Sequence, residues 1–141
     1  MERLISLVYI SSERSPFSAK ELDELLANSR ERNKVNGITG VMLYASGSFM
    51  QYLEGPKTAV QQTFERIKAD RRHFGIMELI CMDIPKREFK DWSMGFTTKE
   101  YPGFDEIKLE YALATAQPEM PHSPSHASLL LQNFWATNQA A

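Results

Sequence analysis

The stretch 48-SFMQYLEGP-56 decides the fold of this chain, because its residues predict a strand with two different faces. Side chains alternate across a strand, so Phe49, Gln51 and Leu53 share one face. A second apolar run precedes it, and Gly47 lies in the short stretch between them, which predicts an antiparallel hairpin. The face that carries Gln51 is otherwise apolar. A buried amide without a hydrogen-bond partner costs about 1–3 kcal/mol, so we expect Gln51 to have one.

The sequence on either side of this hairpin predicts three more strands and two helices. Two capping boxes, Ser18 with Glu21 and Thr58 with Gln61, each mark the start of a helix. We expect the first helix to fray within residues 29–37. The predicted strands are residues 3–11, the two strands of the hairpin within 37–56, and residues 76–84 and 89–98. The order β-α-β-β-α-β-β predicts an α+β, ferredoxin-like fold with a five-stranded mixed sheet and both long helices on one face.

Both faces of the hairpin are apolar, and a sheet of that kind needs a cover on each side. We expect C-terminal helices to cover the second face. This divides the chain into a domain of residues 1–100 and an extension of residues 101–141. The apolar side chains of the last predicted helix equally suit a dimer surface. These side chains are Leu129, Leu130, Leu131, Phe134 and Trp135.

The composition is that of an ordinary single globular domain. The chain has 141 residues, of which 43% are hydrophobic and 24% charged, and its net charge of −2 gives no reason to expect nucleic acid or a membrane as a partner. The one cysteine, Cys81, has apolar neighbours that predict a buried thiol. Because no signal peptide or apolar span is recognisable, we expect a cytoplasmic protein. His122 and His126 have no partners at ligand spacing, so we expect no metal site.

Three side chains on different predicted strands are expected to meet on the helix-covered face. They are Tyr9, Gln51 and Met94, each in phase with apolar neighbours. The tyrosine hydroxyl can donate to the amide oxygen, which leaves the amide nitrogen with two hydrogens. That pair is either a structural bond in the core or one side of a site for a polar ligand. Asn33, near the end of the first helix, is either a C-terminal cap or a paired donor and acceptor for an imide-like group of a flat ring.

The segments that carry these residues resemble the BLUF domain, a blue-light sensor that uses flavin. The matching segments are LVYIS (7–11), SRERNKVNGITGVMLY (29–44), GSFMQYLEGP (47–56), FERIKADRRH (64–73) and DWSMGF (91–96). The resemblance covers residues 3 to about 97 and is to short members without a fused enzyme. It implies a noncovalently bound FAD, with FMN as the alternative, held between the two helices against the sheet.

The resemblance also implies roles for individual residues. Tyr9 would be the photoactive tyrosine, Gln51 would bridge Tyr9 to the flavin, and Asn33 would hold the polar edge of the ring. Trp92 and Met94 would carry the change along strand five, although both equally suit an ordinary core. The remaining implied flavin contacts are Leu25, Ser29, Arg32, Ile38, Arg66, Asp70, Arg72 and His73. Some relatives have histidine or asparagine where this chain has Arg32, and the charged residues from 66 to 73 equally suit a solvated helix end.

The implied function is that of a blue-light photoreceptor and not of an enzyme. Transfer of an electron and a proton from Tyr9 through Gln51 would change the hydrogen bonds to the flavin. Strand five and the C-terminal helices would then pass the signal to an unidentified partner protein, within a homo-oligomer such as a dimer or a larger ring. Two alternatives are a flavin-free interaction module and a small acylphosphatase-like enzyme. The enzyme alternative lacks the glycines that an anion-binding loop needs around Arg14.

Overall fold

The computed structural model describes residues 2–90, 93–98, 130–131 and 133–134. Within these ranges the strands and long helices are β1 (Leu4–Glu13), α1 (Ala19–Asn36), β2 (Thr39–Ala45), β3 (Ser48–Pro56), α2 (Lys57–Ala69), β4 (His73–Asp83) and β5 (Gly95–Thr98). The described residues between 130 and 134 are helical. In this part of the chain no helix is long and apolar enough to cross a lipid bilayer.

The strands form one sheet with the order β4-β1-β3-β2-β5. β1 pairs antiparallel with β3 and β4, β2 pairs antiparallel with β3, and β5 pairs parallel with β2. The predicted α+β class is confirmed by the four antiparallel strands, β1 to β4, and the two long helices. The predicted hairpin is confirmed as well, since only Ser46 and Gly47 separate β2 from β3.

Each face of the sheet carries its own apolar core. On the first face, strand side chains pack against Leu22 and Leu26 of α1 and against Val60 and Phe64 of α2. On the second face, side chains of β1, β2 and β3 pack against Leu131, which is fully buried. Each large side chain buried in this way contributes roughly 1.5–3 kcal/mol. Most of the expected C-terminal extension, with Leu129 and Trp135, lies outside the described residues.

The first helix begins where its capping box predicts. The Ser18 hydroxyl accepts from the backbone N–H of Glu21, and the Glu21 carboxylate accepts from the backbone N–H of Ser18, both at 3.0 Å. The helix does not fray within residues 29–37 but continues to Asn36. It ends because Gly37 adopts the left-handed conformation, with φ of 70°, which glycine tolerates without a Cβ clash.

The second capping box, Thr58 with Gln61, is wrong. α2 begins at Lys57 directly after Pro56, and Pro56 itself makes no capping hydrogen bond from its side chain. The backbone N–H of Thr58 instead donates to Glu2 Oε1 at 2.8 Å. The acceptor therefore comes from the start of the chain, and a local pattern could not reveal it.

The last two strands differ from their predicted bounds. β4 begins at His73, before the predicted residue 76, because it continues along β1 until His73 pairs with Glu13. β5 covers only Gly95–Thr98, although residues 89–98 were predicted. The chain before β5 is engaged elsewhere, since the backbone N–H of Phe89 donates to the Glu54 carboxylate at 2.7 Å.

Cys81 is exposed, so the predicted buried thiol is wrong. It lies on β4, which is the edge strand beside β1 among the described strands. None of the side chains of β4 is fully buried, and the exposed ones include Met77 and Met82. The apolar composition of β4 therefore does not mean that its side chains are buried.

Replacing Gly40 by alanine should destabilise the domain severely. A Cβ at this position would lie 1.9 Å from the backbone oxygen of Tyr52, so β2 and β3 would have to separate. We expect a cost of at least about 3 kcal/mol, which lowers the melting temperature by roughly 10 °C or more. The control is Gly75→Ala, because a Cβ on Gly75 meets nothing within 4 Å and adds only backbone strain at a φ of +64°. Equal melting temperatures of the two variants, measured by circular dichroism, would contradict the close approach at Gly40.

Candidate functional site

A cavity lies between the sheet and the two helices on its first face. Strands β1 to β3 line it from one side, and α1, α2 and the residues that follow α2 enclose the rest. The lining residues are Tyr9, Phe17, Leu25, Ser29, Arg32, Asn33, Met42, Phe49, Gln51, Thr63, Arg66, Ile67, Asp70, Arg72 and His73. Apolar walls with a few converging polar groups are typical of sites for small organic molecules.

Tyr9 and Gln51 form the central polar pair of the cavity. The two residues are direct partners in the β1–β3 register, so their side chains lie side by side on the first face. The Tyr9 hydroxyl donates to Gln51 Oε1. Both residues are 3% exposed. The predicted bond between phenol and amide is therefore present, and it supplies the partner that the buried amide oxygen requires.

The amide nitrogen of Gln51 points toward Met94. Nε2 donates to Met94 Sδ at 3.4 Å, a weak hydrogen bond to a thioether. Among the residues that the structure describes, this nitrogen has no second partner, although it carries two hydrogens. The predicted cluster of Tyr9, Gln51 and Met94 is thus assembled. Trp92 lies outside the described residues.

Two side chains of α1 hold the backbone beside Met94. Asn33, which is 4% exposed, donates from Nδ2 to the backbone oxygen of Ser93 at 2.6 Å. Arg30 donates from Nε to the backbone oxygen of Met94 at 3.0 Å. The side chain of Asn33 therefore points inward instead of capping its helix. Arg30 was not predicted, although it lies three positions before Asn33 and so on the same helix face.

Three arginines stand at the mouth of the cavity. Arg32, Arg66 and Arg72 line it while remaining exposed. Arg72 pairs with Asp70 through two nitrogens, the closer contact being 2.6 Å between Nη2 and Oδ2, and this bond lowers the pKa of the Asp70 carboxyl. Arg66 donates to the Thr63 hydroxyl at 3.2 Å. The three guanidinium groups outnumber the one carboxylate of Asp70, so this rim carries net positive charge.

Both ring nitrogens of His73 have protein partners. Nε2 lies 2.7 Å from the backbone oxygen of Ile67, which can only accept, so this nitrogen carries a proton. Nδ1 lies 2.8 Å from the Ser11 hydroxyl. The ring is thus held between β1 and α2, and it lies on β4 rather than at the end of α2 as predicted.

Nearly all the residues that the sequence suggested are brought together. Of those implied flavin contacts, only Ile38 is not among the lining residues, and it lies in the apolar core of the first face. The lining residues that were missed are Phe17, Met42, Phe49, Thr63 and Ile67. Strand alternation could have found Phe49, which shares the face of Gln51, and Met42, which is its partner in the β2–β3 register. No group of three metal-ligating side chains occurs among the described residues.

Stability should fall steeply above pH 10 because of two buried tyrosines. Burial and the nearby charge of Asp70 raise the pKa of Tyr9, and burial and the charge of Glu54 raise the pKa of Tyr52. A tyrosine whose pKa is higher in the folded protein than in the unfolded chain stabilises the fold. This stabilisation is complete below the pKa of the unfolded chain, about 10, and is lost as the pH rises toward the pKa in the folded protein. Each tyrosine should therefore remove about 1.4 kcal/mol of unfolding free energy per pH unit above that point.

Urea unfolding of the wild-type protein and of Tyr52→Phe between pH 8 and pH 11.5 measures this slope. The two tyrosines together lower the unfolding free energy of the wild-type protein above pH 10. In Tyr52→Phe this lowering should be about half as large. Parallel curves for the two proteins would show that Tyr52 does not titrate with a raised pKa.

Comparison with known proteins identifies a family with this pattern. Residues 4–95 match the family BLUF, described as sensors of blue-light using FAD. The blue light- and temperature-regulated antirepressor BluF of Escherichia coli (strain K12) is 35% identical over 86 residues, which are 61% of this chain and 21% of that protein. The chain thus spans about a fifth of the length of this curated relative.

Solved structures of similar sequence share the fold. The dark-state structure of BlrB, a BLUF protein, is 30% identical with a TM-score of 0.70, and the match covers 97% of this chain and 98% of that one. Klebsiella pneumoniae BlrP1 with FMN and cyclic diGMP is 28% identical with a TM-score of 0.78, over 94% of this chain and 34% of that one.

Proposed function

The chain belongs to the BLUF family of blue-light sensors, and on this basis we propose that its cavity holds a flavin whose excitation changes the hydrogen bonding of Gln51. The observation that carries the proposal is the buried bond from the Tyr9 hydroxyl to Gln51 Oε1 beside a cavity between the sheet and both helices. A BLUF domain is a sensor and not itself an enzyme.

The residues present suit a flavin ring. Phe49 and Met42 from the sheet and Leu25 and Ile67 from the helices offer apolar surface to a flat ring. The polar edge of the ring would meet the amides of Gln51 and Asn33 and the hydroxyl of Ser29. An amide supplies both a donor and an acceptor, which matches the alternating donor and acceptor atoms of an imide edge.

The arginine rim suits the anionic tail of the cofactor. Arg32, Arg66 and Arg72 line the mouth of the cavity, and guanidinium groups bind phosphate through several N–H donors at once. We propose FAD as the resident flavin, with FMN as the alternative that would leave part of this rim unused. In this assignment Asp70 positions Arg72 through their paired hydrogen bonds.

The chemistry divides between the cofactor and the chain. A bound flavin supplies blue-light absorption and, once excited, a strong one-electron oxidant. Tyr9 would lose an electron, and its phenol, now strongly acidic, would release its proton along the bond to Gln51 Oε1. Electron and proton then return to Tyr9, so no net oxidation results. The lasting change is in the bonding of Gln51, by rotation of the amide, by tautomerisation or by both.

The signal would leave the cavity through the residues next to Gln51. Met94 accepts from the amide nitrogen, so a changed amide alters the packing of Met94 at the start of β5. We assign the same route to Trp92 and propose that residues 101–141 form helices that cover the second face and carry the output. The chain would act on a partner protein, as an oligomer. A flavin-free interaction module is the second candidate, because the buried bond from Tyr9 to Gln51 also suits a purely structural role in the core.

Flavin binding to this cavity is tested with a blocking variant. Ser29→Trp places a large ring in the cavity wall, whereas Asn28→Trp adds the same ring at the adjacent, exposed position of α1. After equilibration with FAD or FMN and removal of free flavin, the wild-type protein and Asn28→Trp should each retain one FAD per chain, and Ser29→Trp should retain almost none. Equal retention by both variants would place the flavin elsewhere, and no retention by any of them would favour the flavin-free module.

A further inference from the structure

A fully buried carboxylate lies on the face of the sheet opposite the cavity. Glu54 follows Gln51 by three positions on β3, so its side chain points to the second face, and it is 0% exposed. It is not among the residues that line the cavity. Burying a carboxylate is costly unless hydrogen bonds replace the lost water, so the partners of Glu54 reveal what it is for.

Four donors surround this carboxylate. Oε1 accepts from the Tyr52 hydroxyl at 2.9 Å and from the backbone N–H of Glu88 at 2.7 Å. Oε2 accepts from the Thr39 hydroxyl and from the backbone N–H of Phe89, both at 2.7 Å. A carboxylate only accepts hydrogen bonds and so satisfies all four donors, whereas an amide would turn its NH₂ group toward two of them.

The two backbone donors begin the connecting segment between β4 and β5, of which the structure describes residues 88–90, 93 and 94. At the other end of this segment, Met94 Sδ accepts from Gln51 Nε2 at 3.4 Å. β3 therefore holds both ends of the connecting segment, with Glu54 on the second face and Gln51 on the first.

Neighbouring contacts fix the Glu54 end of the segment to the rest of the domain. The ring of Phe89 is buried and packs edge-on against the ring of Tyr52, with centroids 5.0 Å apart. Arg87 donates to the Thr39 hydroxyl at 3.0 Å and to the backbone oxygen of Gly37 at 2.7 Å. The start of the segment is thus anchored to β2, to β3 and to the end of α1.

We propose that Glu54 is a positioning residue for the light response, which holds Met94 against Gln51 by fixing the start of the connecting segment. The inference rests on the proposed function of Gln51. With one end fixed, a change in the bonding of Gln51 displaces Met94 relative to an anchored backbone. The α1 contacts from Asn33 to the Ser93 carbonyl and from Arg30 to the Met94 carbonyl hold the other end of the segment.

Glu54→Gln tests this role, with Glu65→Gln as the matched control. Glu65 is exposed on α2 and pairs only with Lys68 among the described residues, at 2.7 Å. Both variants carry ¹³C-labelled methionine methyl groups and are measured without flavin and with FAD.

In Glu54→Gln, the backbone amides of Glu88 and Phe89 should exchange hydrogen about tenfold faster, because the side-chain amide of the variant cannot accept from all of these donors. The Met94 methyl resonance should move, and thermal recovery in the dark should change in rate by roughly threefold or more. Glu65→Gln should leave all three unchanged.

Amide exchange in Glu54→Gln can become faster while the Met94 resonance and the recovery rate stay unchanged. That result would overturn the proposal and leave Glu54 as a purely structural anchor. If Glu54→Gln does not fold, Tyr52→Phe removes one of the four donors and must show the same changes at smaller size, and their absence overturns the proposal as well. The methyl and exchange measurements need no flavin. A wild-type protein without a light response would therefore refute the proposed function, while the Met94 resonance still decides whether Glu54 positions Met94.

Discussion

Replacing Gln51 by leucine should abolish the light-induced red shift of the flavin while the protein still binds FAD. Leucine has a similar length but can neither accept from the Tyr9 hydroxyl nor donate to Met94 Sδ, so it removes both hydrogen bonds of the side chain. The apolar walls and the arginine rim of the cavity remain. The visible light-minus-dark spectrum of the purified, FAD-loaded variant should therefore be flat where that of the wild-type protein is not.

The stability of this variant must be measured beside its spectrum. A buried tyrosine hydroxyl left without an acceptor costs about 1–3 kcal/mol, so a lower melting temperature is expected for Gln51→Leu. Gln61→Leu is the control, since Gln61 is exposed on α2 and the same substitution there should leave the red shift intact. A full and reversible red shift in Gln51→Leu would remove Gln51 from the mechanism.

Replacing Tyr9 by phenylalanine should also end the normal photocycle without loss of flavin. The ring stays in place between Phe64 and His73, whose centroids lie 5.5 and 6.5 Å away, so the cavity keeps its shape. What is lost is the phenol, which supplies both the electron and the proton in the proposed step. The decay of flavin fluorescence after a short blue pulse should lengthen, because the proposed electron donor has gone, and no reversible red shift should form.

Tyr44→Phe provides the matched control for this experiment. Tyr44 is a second buried tyrosine on the first face, but its hydroxyl donates to Glu13 and its side chain does not line the cavity. The control variant should retain the wild-type red shift. If Tyr9→Phe and Tyr44→Phe both retain it, the transfer of an electron and a proton from Tyr9 is not part of the light response.

The sheet could be predicted from sequence because alternation is a property of each strand by itself. The faces of β3 and its pairing with β2 follow from alternation and a two-residue turn. The first capping box also needs only neighbouring residues. The predictions that failed depend on distant parts of the chain, as with Thr58, which bonds to Glu2, and Cys81, whose exposure follows from the edge position of β4.

In the candidate site too, local sequence predicts the contacts within the strands but not the contacts with distant segments. Phase along the strands predicts that Tyr9 and Gln51 meet, and the structure brings them together as register partners. Phase does not predict that Asn33 bonds to the backbone of Ser93, because this contact depends on where the chain before β5 lies in three dimensions. Neither does it predict the four donors around Glu54, since two of them come from a connection whose path no local pattern describes.

The most direct test of the central claim is the visible absorption spectrum of the purified wild-type protein, in the dark and after a blue pulse. The account predicts a flavin spectrum that shifts slightly to the red after the pulse and returns in the dark, because only the hydrogen bonding of Gln51 has changed. A protein that remains colourless after addition of FAD, or one whose flavin spectrum does not respond to light, would contradict it and leave the bond between Tyr9 and Gln51 as a structural feature of the core.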